Sequence, residues 1–369
     1  MWMLTLACTG EPSEAPGTDS LDSDPSVVED QLDAWFNDRA SRVSAPGAAA
    51  ALVRGGELVW VGAWGTANLE LGTPVTPDTP FLQAGVSKTV TGTALLQLIE
   101  DGALTLDEPI APLLPFELDN PKVEGEQILL RHLATHTSGL LDNGEALAAL
   151  YVEGDSPVPL GDFLEDYLVA GGEHYDADVN FLDEQPGLVY DYSYVGAALA
   201  GYLPERVAVP LDEHCEARIF EPLGMTHTGW HLADFDADEV AMPYWKRAGG
   251  DDFEPYGHYG YPDWPDGQLR ASARDMGAFA AAWLNDDLVG AQTRELALSS
   301  LTEADSTQGF FWYQDGPYWA HAGADQGAAT AIYLDPVTGD AAVVMINMDW
   351  NTGTTDFIQD VLFELLDPS

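Results

Sequence analysis

Lys88 is one of only three lysines in a chain of 369 residues, the others being Lys122 and Lys246. It lies in the stretch QAGVSKTVTG, residues 83–92. From Val86 to about Asp101 the residues Val90, Ala94, Leu95 and Leu98 recur with helical spacing, and Gly102 supplies a stop. Residues three apart share a helix face, so the side chain three before Lys88 stands beside its amine. A hydroxyl in that place could pass its proton to the amine while attacking a carbonyl carbon. Its own backbone N–H, at the helix N-terminus, could help hold the oxyanion that forms. The residue there is Gly85, which offers the N–H and no hydroxyl. Ser87 is no substitute, because a residue adjacent to Lys88 points about 100° away around the helix. Gly85 to Thr89 also approximates G-x-S-x-G, but it lacks the preceding strand and ends in threonine.

Other reactive residue types are less organised. His132/His136 and His227/His231 have i, i+4 spacing, yet neither pair carries the glutamate of H-E-x-x-H. The run DFDADE, residues 234–239, opens like a calcium loop but has no glycine at its sixth position and no glutamate at its twelfth. No metal and no other cofactor is expected. Two cysteines, Cys8 and Cys215, give no structural disulfide. The aromatic-rich segment EPYGHYGYPDWPDG, residues 254–267, reads as a loop that either lines a pocket near the site or only packs.

These residues need elements to carry them. Pro25 to Arg42 has helical spacing, with Val27, Val28, Leu32, Trp35 and Phe36 near one face. GAAAALVRGGELVWVGAWG then reads as two strands around Arg54-Gly55-Gly56-Glu57. Residues 103–310 mix helical stretches, PLDEHCEARIFEPLG and ARDMGAFAAAWLN among them, with long loops. Strand character returns in YWAHAG, GAATAIYLDP and DAAVVMINMD, and TTDFIQDVLFELL closes the chain as an amphipathic helix. The expected fold is α/β: one antiparallel sheet flanked by helices, with strands from both chain ends, plus an inserted, mostly helical lobe. Residues 26–84 and 311–369 are assigned to the sheet lobe and 85–310 to the helical lobe. A ligand is expected in the seam between lobes.

Composition excludes some functions. With 13 basic and 62 acidic side chains the net charge is −49. Such a surface repels phosphate backbones, so nucleic acid is excluded as a partner. The charge itself reads as a solvated, salt-adapted face. No apolar run in the body is long enough to span a membrane. The opening MWMLTLAC ends in Leu6-Ala7-Cys8, similar to the lipobox of bacterial lipoproteins, although its apolar stretch is short and lacks a basic flank. Cys8 is the expected lipidation site. Residues 1–25, rich in Pro, Ser and Asp, read as that leader followed by a disordered tether. The expectation is an exported, lipid-anchored monomer in the periplasm or on the outer surface.

Several spaced motifs together resemble one family. TPDTPFLQAGVSKTVTGTALLQLIEDGALTLDEPI is similar to the active-site helix of the class C β-lactamase, D,D-peptidase and esterase family of serine hydrolases. ILLRHLATHTSGL, ARIFEPLGMTHTGW, GQLRASARDMGAF and HAGADQGAATAIYLDPVTGDAAVVMINMD resemble later family segments in the same order, covering roughly residues 26–366. The resemblance implies a β-lactamase/transpeptidase-like fold and assigns roles. Gly85 occupies the nucleophile position and Lys88 that of its partner. Tyr192 matches the tyrosine used as base or proton shuttle. Tyr194 stands where an asparagine would contact substrate, and a phenol cannot present an amide. His321-Ala322-Gly323 matches the histidine-x-glycine variant of the third motif, with Gly323 close to the ligand and the Ala324 N–H as second oxyanion donor. His136 reads as structural.

With two side chains of the site changed, the expected function is a catalytically impaired or non-catalytic relative that keeps a peptide-, ester- or carboxylate-binding cleft. Two alternatives stand beside it. One is an active hydrolase of esters, D-amino-acyl peptides or β-lactams, in which a water held by Lys88 and Tyr192 fills the room left at Gly85. The other is a surface lipoprotein that reuses the fold alone.

Overall fold

The computed structural model describes residues 25–125, 127–247, 250 and 252–366; Cys8 and the expected tether lie outside them. A first helix, α1 (Pro25–Ala40), leads into β1 (Gly47–Arg54) and β2 (Glu57–Asn68). Their tight connection is permitted by Gly55 and Gly56, both at positive φ (54° and 80°). A short β3 (Thr73–Pro74) adds to β2. Four late strands complete the sheet: β4 (Tyr313–Asp315), β5 (Tyr318–Asp325), β6 (Ala328–Asp335) and β7 (Asp340–Ile346). The order is β4-β5-β6-β7-β1-β2-β3, and all neighbouring pairs are antiparallel. β1 lies against β7, with Ala48 opposite Ile346, so the two chain ends share the middle of the sheet. The antiparallel sheet built from both chain ends is as the sequence predicts.

β1 reads GAAAALVR and is buried almost throughout. Small residues on both faces let helices approach on both sides. On one face Phe36 of α1 packs with Trp60, and with Phe357 of the C-terminal helix Thr352–Leu366. On the other lies Ala273–Leu284, where Gly277 has Ala51 and the Leu58 side chain directly above its α-carbon. This helix comes from inside the long insertion. The sheet lobe therefore takes back the chain at residue 273, earlier than the division at 310, because its apolar residues Met276, Phe279, Ala280 and Trp283 need the sheet to be buried.

The rest of the insertion surrounds α2 (Ser87–Glu100), whose side chains are buried from Ser87 to Leu98. It packs on α3 (Tyr194–Val207). Gly102 at φ 73° ends α2 as expected. The N-terminus of α2 abuts β5, and the site is built at that junction.

Candidate active site

Gly85 is the middle residue of a single 3₁₀ turn, Ala84–Val86, that feeds α2. The turn is strained, with Ala84 at φ 47°. It is held by what surrounds it. The Gln83 amide donates to the Phe81 and Ala271 carbonyls at 2.8 and 3.1 Å, and the Gln83 carbonyl accepts from Thr330 Oγ1 at 2.7 Å. β5 presses on the turn from the other side. A Cβ on Gly323 would collide with the Gln83 carbonyl and Thr330 Oγ1, so this glycine permits close approach to the protein's own chain.

The same crowding appears at Gly85. A Cβ there would stand 2.6 Å from the Ala322 carbonyl oxygen, with the Tyr192 hydroxyl and His321 Cε1 each at 3.2 Å. The space directly above Gly85 is closed by a backbone carbonyl. A side chain at this position would require the Ala322 carbonyl or the Ala84–Val86 turn to shift.

Lys88 is fully buried. Its ammonium donates to the Asp266 carbonyl at 2.8 Å and to Asp266 Oδ2 at 3.3 Å. It also lies 4.8 Å from the Tyr192 ring centroid and 5.0 Å from that of Tyr194, within cation–π range of both. The ammonium thus bridges α2, the 264–266 turn and the start of α3. The neighbours of Lys88 on α2 complete the stitching: Thr91 Oγ1 donates to the Pro265 carbonyl and Ser87 Oγ accepts from the Leu269 N–H. Ser87 is thus turned away from the Gly85 site, as the helical geometry requires.

Tyr192 and Tyr194 are placed by two anchors. His136, at φ 54°, lies with its ring 4.2 Å from that of Tyr192 and accepts from the Ser193 N–H through Nδ1. Asp142 accepts from Ser193 Oγ and from the N–H groups of Tyr194 and Val195, at 3.1, 2.7 and 3.1 Å. A carboxylate there answers otherwise unpaired donors at the N-terminus of α3. Tyr194 is 42% exposed.

Burial sets the protonation of the rings at the site. Burial, with Asp266 and Asp142 nearby, pushes the Tyr192 phenol well above its ordinary value, so it keeps its proton. Tyr194 is pushed up to about 12, again chiefly by burial. Burial and then the Lys88 charge hold His321 down to about 3; the ring is neutral at pH 7. Its Nδ1 is 2.8 Å from the Ala322 oxygen, so the Nδ1–H tautomer donates to the very carbonyl that covers Gly85. His321 fixes that carbonyl. Burial also raises Asp266, to about 7, against the pull of Lys88.

The backbone part of the site is different. β4 pairs with β5 only as far as Ala320, and beyond it the β5 edge faces the Ala84–Val86 turn. Backbone groups alternate in direction along an antiparallel strand. Since the Ala322 carbonyl faces Gly85, the Ala324 N–H two residues on faces the same side. The Ala324 N–H and the Ala322 carbonyl thus share one edge of β5, beside the head of α2.

The sequence-chosen residues Gly85, Lys88, Tyr192, Tyr194, His321, Gly323 and Ala324 meet in this one place. The carboxylates were missed. Asp266, Asp263, Asp142 and Asp325 all influence these groups, and Asp325 accepts from the hydroxyls of Tyr151 and Tyr261, both at 3.0 Å. Asp263, Asp266 and Tyr261 come from the aromatic-rich loop, which proves to line the site. A buried lysine demands a counter-charge, and that was the available signal; the 62 acidic residues gave no way to choose one.

A family model described as Beta-lactamase matches residues 32–360. Among curated proteins the chain is 27% identical to Penicillin-binding protein 4 of Amycolatopsis lactamdurans, over 87% of this chain and 85% of that one. It is 30% identical to Esterase EstB of Burkholderia gladioli, over 58% of this chain and 54% of the esterase. The chain spans 61% and 54% of the length of the first two curated relatives it matches. A D-amino acid amidase structure from Ochrobactrum anthropi superposes with a TM-score of 0.73 at 22% identity, covering 91% of this chain and 96% of the amidase. A penicillin binding protein from Bacillus halodurans gives 0.69 at 24%, over 85% and 95%.

Proposed function

The chain belongs to the Beta-lactamase family of serine hydrolases, and from that premise we propose that it is a binding member whose cleft takes a peptide-, ester- or amide-like ligand without a covalent step. The observation that carries this reading is at Gly85. The nucleophile position has no hydroxyl, and the place a side chain would occupy is closed by the Ala322 carbonyl at 2.6 Å. Loss of the attacking group alone costs several orders of magnitude in such enzymes. In this reading the Gly85 and Ala324 N–H groups hold a ligand carbonyl oxygen.

The charges narrow the ligand. Lys88 is the one cation in this cluster, and it is already bonded to Asp266. Burial raises the pKa of Asp142, Asp263, Asp266 and Asp325, which favours their neutral forms, and His321 is neutral at pH 7. A ligand carboxylate has no counter-ion here. A neutral ligand is favoured over the carboxylate class expected earlier.

The water-attack alternative is disfavoured by the same geometry. The Ala322 oxygen crowds the position, the Lys88 hydrogen bonds go to Asp266, and Tyr192 retains its proton. Attachment to a membrane through a lipidated Cys8 remains part of the proposal, carried by the Leu6-Ala7-Cys8 sequence.

The test is turnover of a panel of small esters and a chromogenic cephalosporin by the protein, by Gly85→Ser and by Lys88→Ala. Thermal shifts with D-phenylalanine amide and N-acetyl-D-alanyl-D-alanine run alongside. The proposal expects no turnover by the unaltered protein and a larger stabilisation by the amide than by the anion. Turnover by the unaltered protein that disappears in Lys88→Ala would overturn it.

A further inference from the structure

Of the four carboxyl groups around Lys88, three have hydrogen-bonding partners. Asp142 accepts from Ser193, Tyr194 and Val195, Asp325 from Tyr151 and Tyr261, and Asp266 from Lys88. Asp263 has no such partner among the other described residues; the hydrogen bond acting on its carboxyl comes from its own backbone N–H. Its place in the chain makes this unusual. Asp263 stands at the N-cap position of the Trp264–Asp266 turn, where an aspartate ordinarily accepts from an N–H of the turn, yet its side chain makes no such bond. The turn closes through backbone, from the Asp266 N–H to the Asp263 carbonyl at 3.1 Å. The carboxyl is therefore not used to hold its own loop.

It lies instead within the group around Lys88. The charges of Asp266, Asp142 and Lys88 act on it, and it acts on the Tyr151 phenol, which bonds Asp325 at the end of β5. Asp263 is 5% exposed, and its oxygens are not sealed from the surface. Asp266 Oδ1 also lacks a partner, but it is sealed and out of a ligand's reach. Burial, reinforced by Asp266 and opposed by Lys88, pushes the Asp263 carboxyl well above the usual carboxylate range, so it keeps its proton at neutral pH. A carboxylic acid has an O–H donor and a carbonyl acceptor side by side. A primary amide answers both at once, through its own C=O and N–H. An ester or a carboxylate offers acceptors only, and an ammonium donors only, so each leaves half of the acid unanswered.

We propose, on the non-covalent reading of the cleft, that Asp263 sets its ligand specificity: the carboxylic acid receives a terminal primary amide, donating its O–H to the amide oxygen and accepting one amide N–H, while another carbonyl of the ligand lies at Gly85 and Ala324.

The experiment is ¹⁹F NMR titration of the full chain at pH 7 with N-(4-fluorobenzoyl)glycinamide, the corresponding methyl ester, the free acid and N-(2-aminoethyl)-4-fluorobenzamide. The unaltered protein is compared with Asp263→Asn and Asp263→Leu. The amide is expected to bind tighter than the other three by about tenfold or more. Asp263→Asn, which keeps a donor and an acceptor, is expected to retain that preference. Asp263→Leu is expected to weaken the amide by about tenfold or more and the ester by about twofold or less. Should Asp263→Leu not fold, Asp263→Ala takes its place. The proposal is overturned by an amide that binds no tighter than the ester, by a preference that survives in Asp263→Leu, by tightest binding of the amine, which would mean an ionised Asp263, or by no binding to the unaltered protein. Hydrolysis of the methyl ester by the unaltered protein would overturn the non-covalent reading instead, and the amide titrations would still decide the role of Asp263.

Discussion

A serine introduced at Gly85 brings a Cβ to 2.6 Å from the Ala322 oxygen, a distance that forces β5 or the Ala84–Val86 turn to move. Overpacking of this kind costs about 1–3 kcal/mol. Gly85→Ser and Gly85→Ala are therefore both expected to lose stability by that amount in urea melts. Only the serine variant is expected to gain ester turnover, slow and abolished when Lys88→Ala is added. Equal stability of all three proteins would show that β5 does not close over Gly85. His321 gives a second residue-scale expectation. Its folded-state pKa of about 3 lies below the ordinary 6.5, so the unfolded chain takes up a proton that the folded chain refuses. Its contribution to stability is present above pH 6.5 and is lost as pH falls toward 3. Asp266, raised to about 7, works oppositely: its contribution is present below about pH 4 and is lost as pH rises through 7. His321→Gln is expected to remove part of the acid-side loss between pH 6.5 and 3. An unchanged pH–stability curve would contradict the neutral, buried imidazole.

At the scale of elements, the cleft depends on how α3 starts. Asp142 accepts three hydrogen bonds at that point, and the Ser193 side chain also caps the Gly196 N–H at 2.9 Å. Burial raises the Asp142 pKa, so part of what its hydrogen bonds contribute is offset by desolvation. Asp142→Ala is accordingly expected to cost about 1–2 kcal/mol rather than the full value of three charged hydrogen bonds. Because Tyr192 and Tyr194 flank this start, the variant is also expected to weaken ligand binding in the cleft. Calorimetry that found lost stability with unaltered affinity would separate the helix start from the cleft. The junction of α2 with β5 is the other decisive element contact. Gly323 allows it and Ala84 takes a strained conformation to meet it.

For the whole molecule the dominant quantity is the charge of −49. Self-repulsion opposes the compact state, and salt shortens its reach from about 10 Å at 0.1 M to about 3 Å at 1 M. The melting temperature at pH 7 is expected to rise steadily with sodium chloride over that range. A flat response would mean that the acidic side chains are spaced widely enough not to interact. The proposed lipidation of Cys8 gives a further expectation: the protein expressed in a bacterial host is found in the membrane fraction and Cys8→Ala is not. Recovery of that variant still bound to membranes would remove lipidation of Cys8 as the cause.

Much of this protein is written locally in its sequence. Short apolar runs bounded by turn residues marked the strands and a period-3.6 pattern the helices, the Gly55-Gly56 hairpin and the Gly102 stop follow from backbone sterics, and the absent hydroxyl at Gly85 is a matter of residue identity. These features depend on neighbours a few positions away, so a linear reading finds them. Contacts between distant segments are another matter. Lys88 finds Asp266 across 178 positions, chosen from 62 acidic residues of equal chemistry. The Ala322 carbonyl reaches Gly85 only because β5 and the head of α2 are brought together by the sheet and the Thr330–Gln83 bond. The helix Ala273–Leu284 joins the sheet lobe because its apolar face fits Ala51 and Leu58 there. Burial decides such pairings, and burial is a property of the packed molecule, not of any segment read by itself.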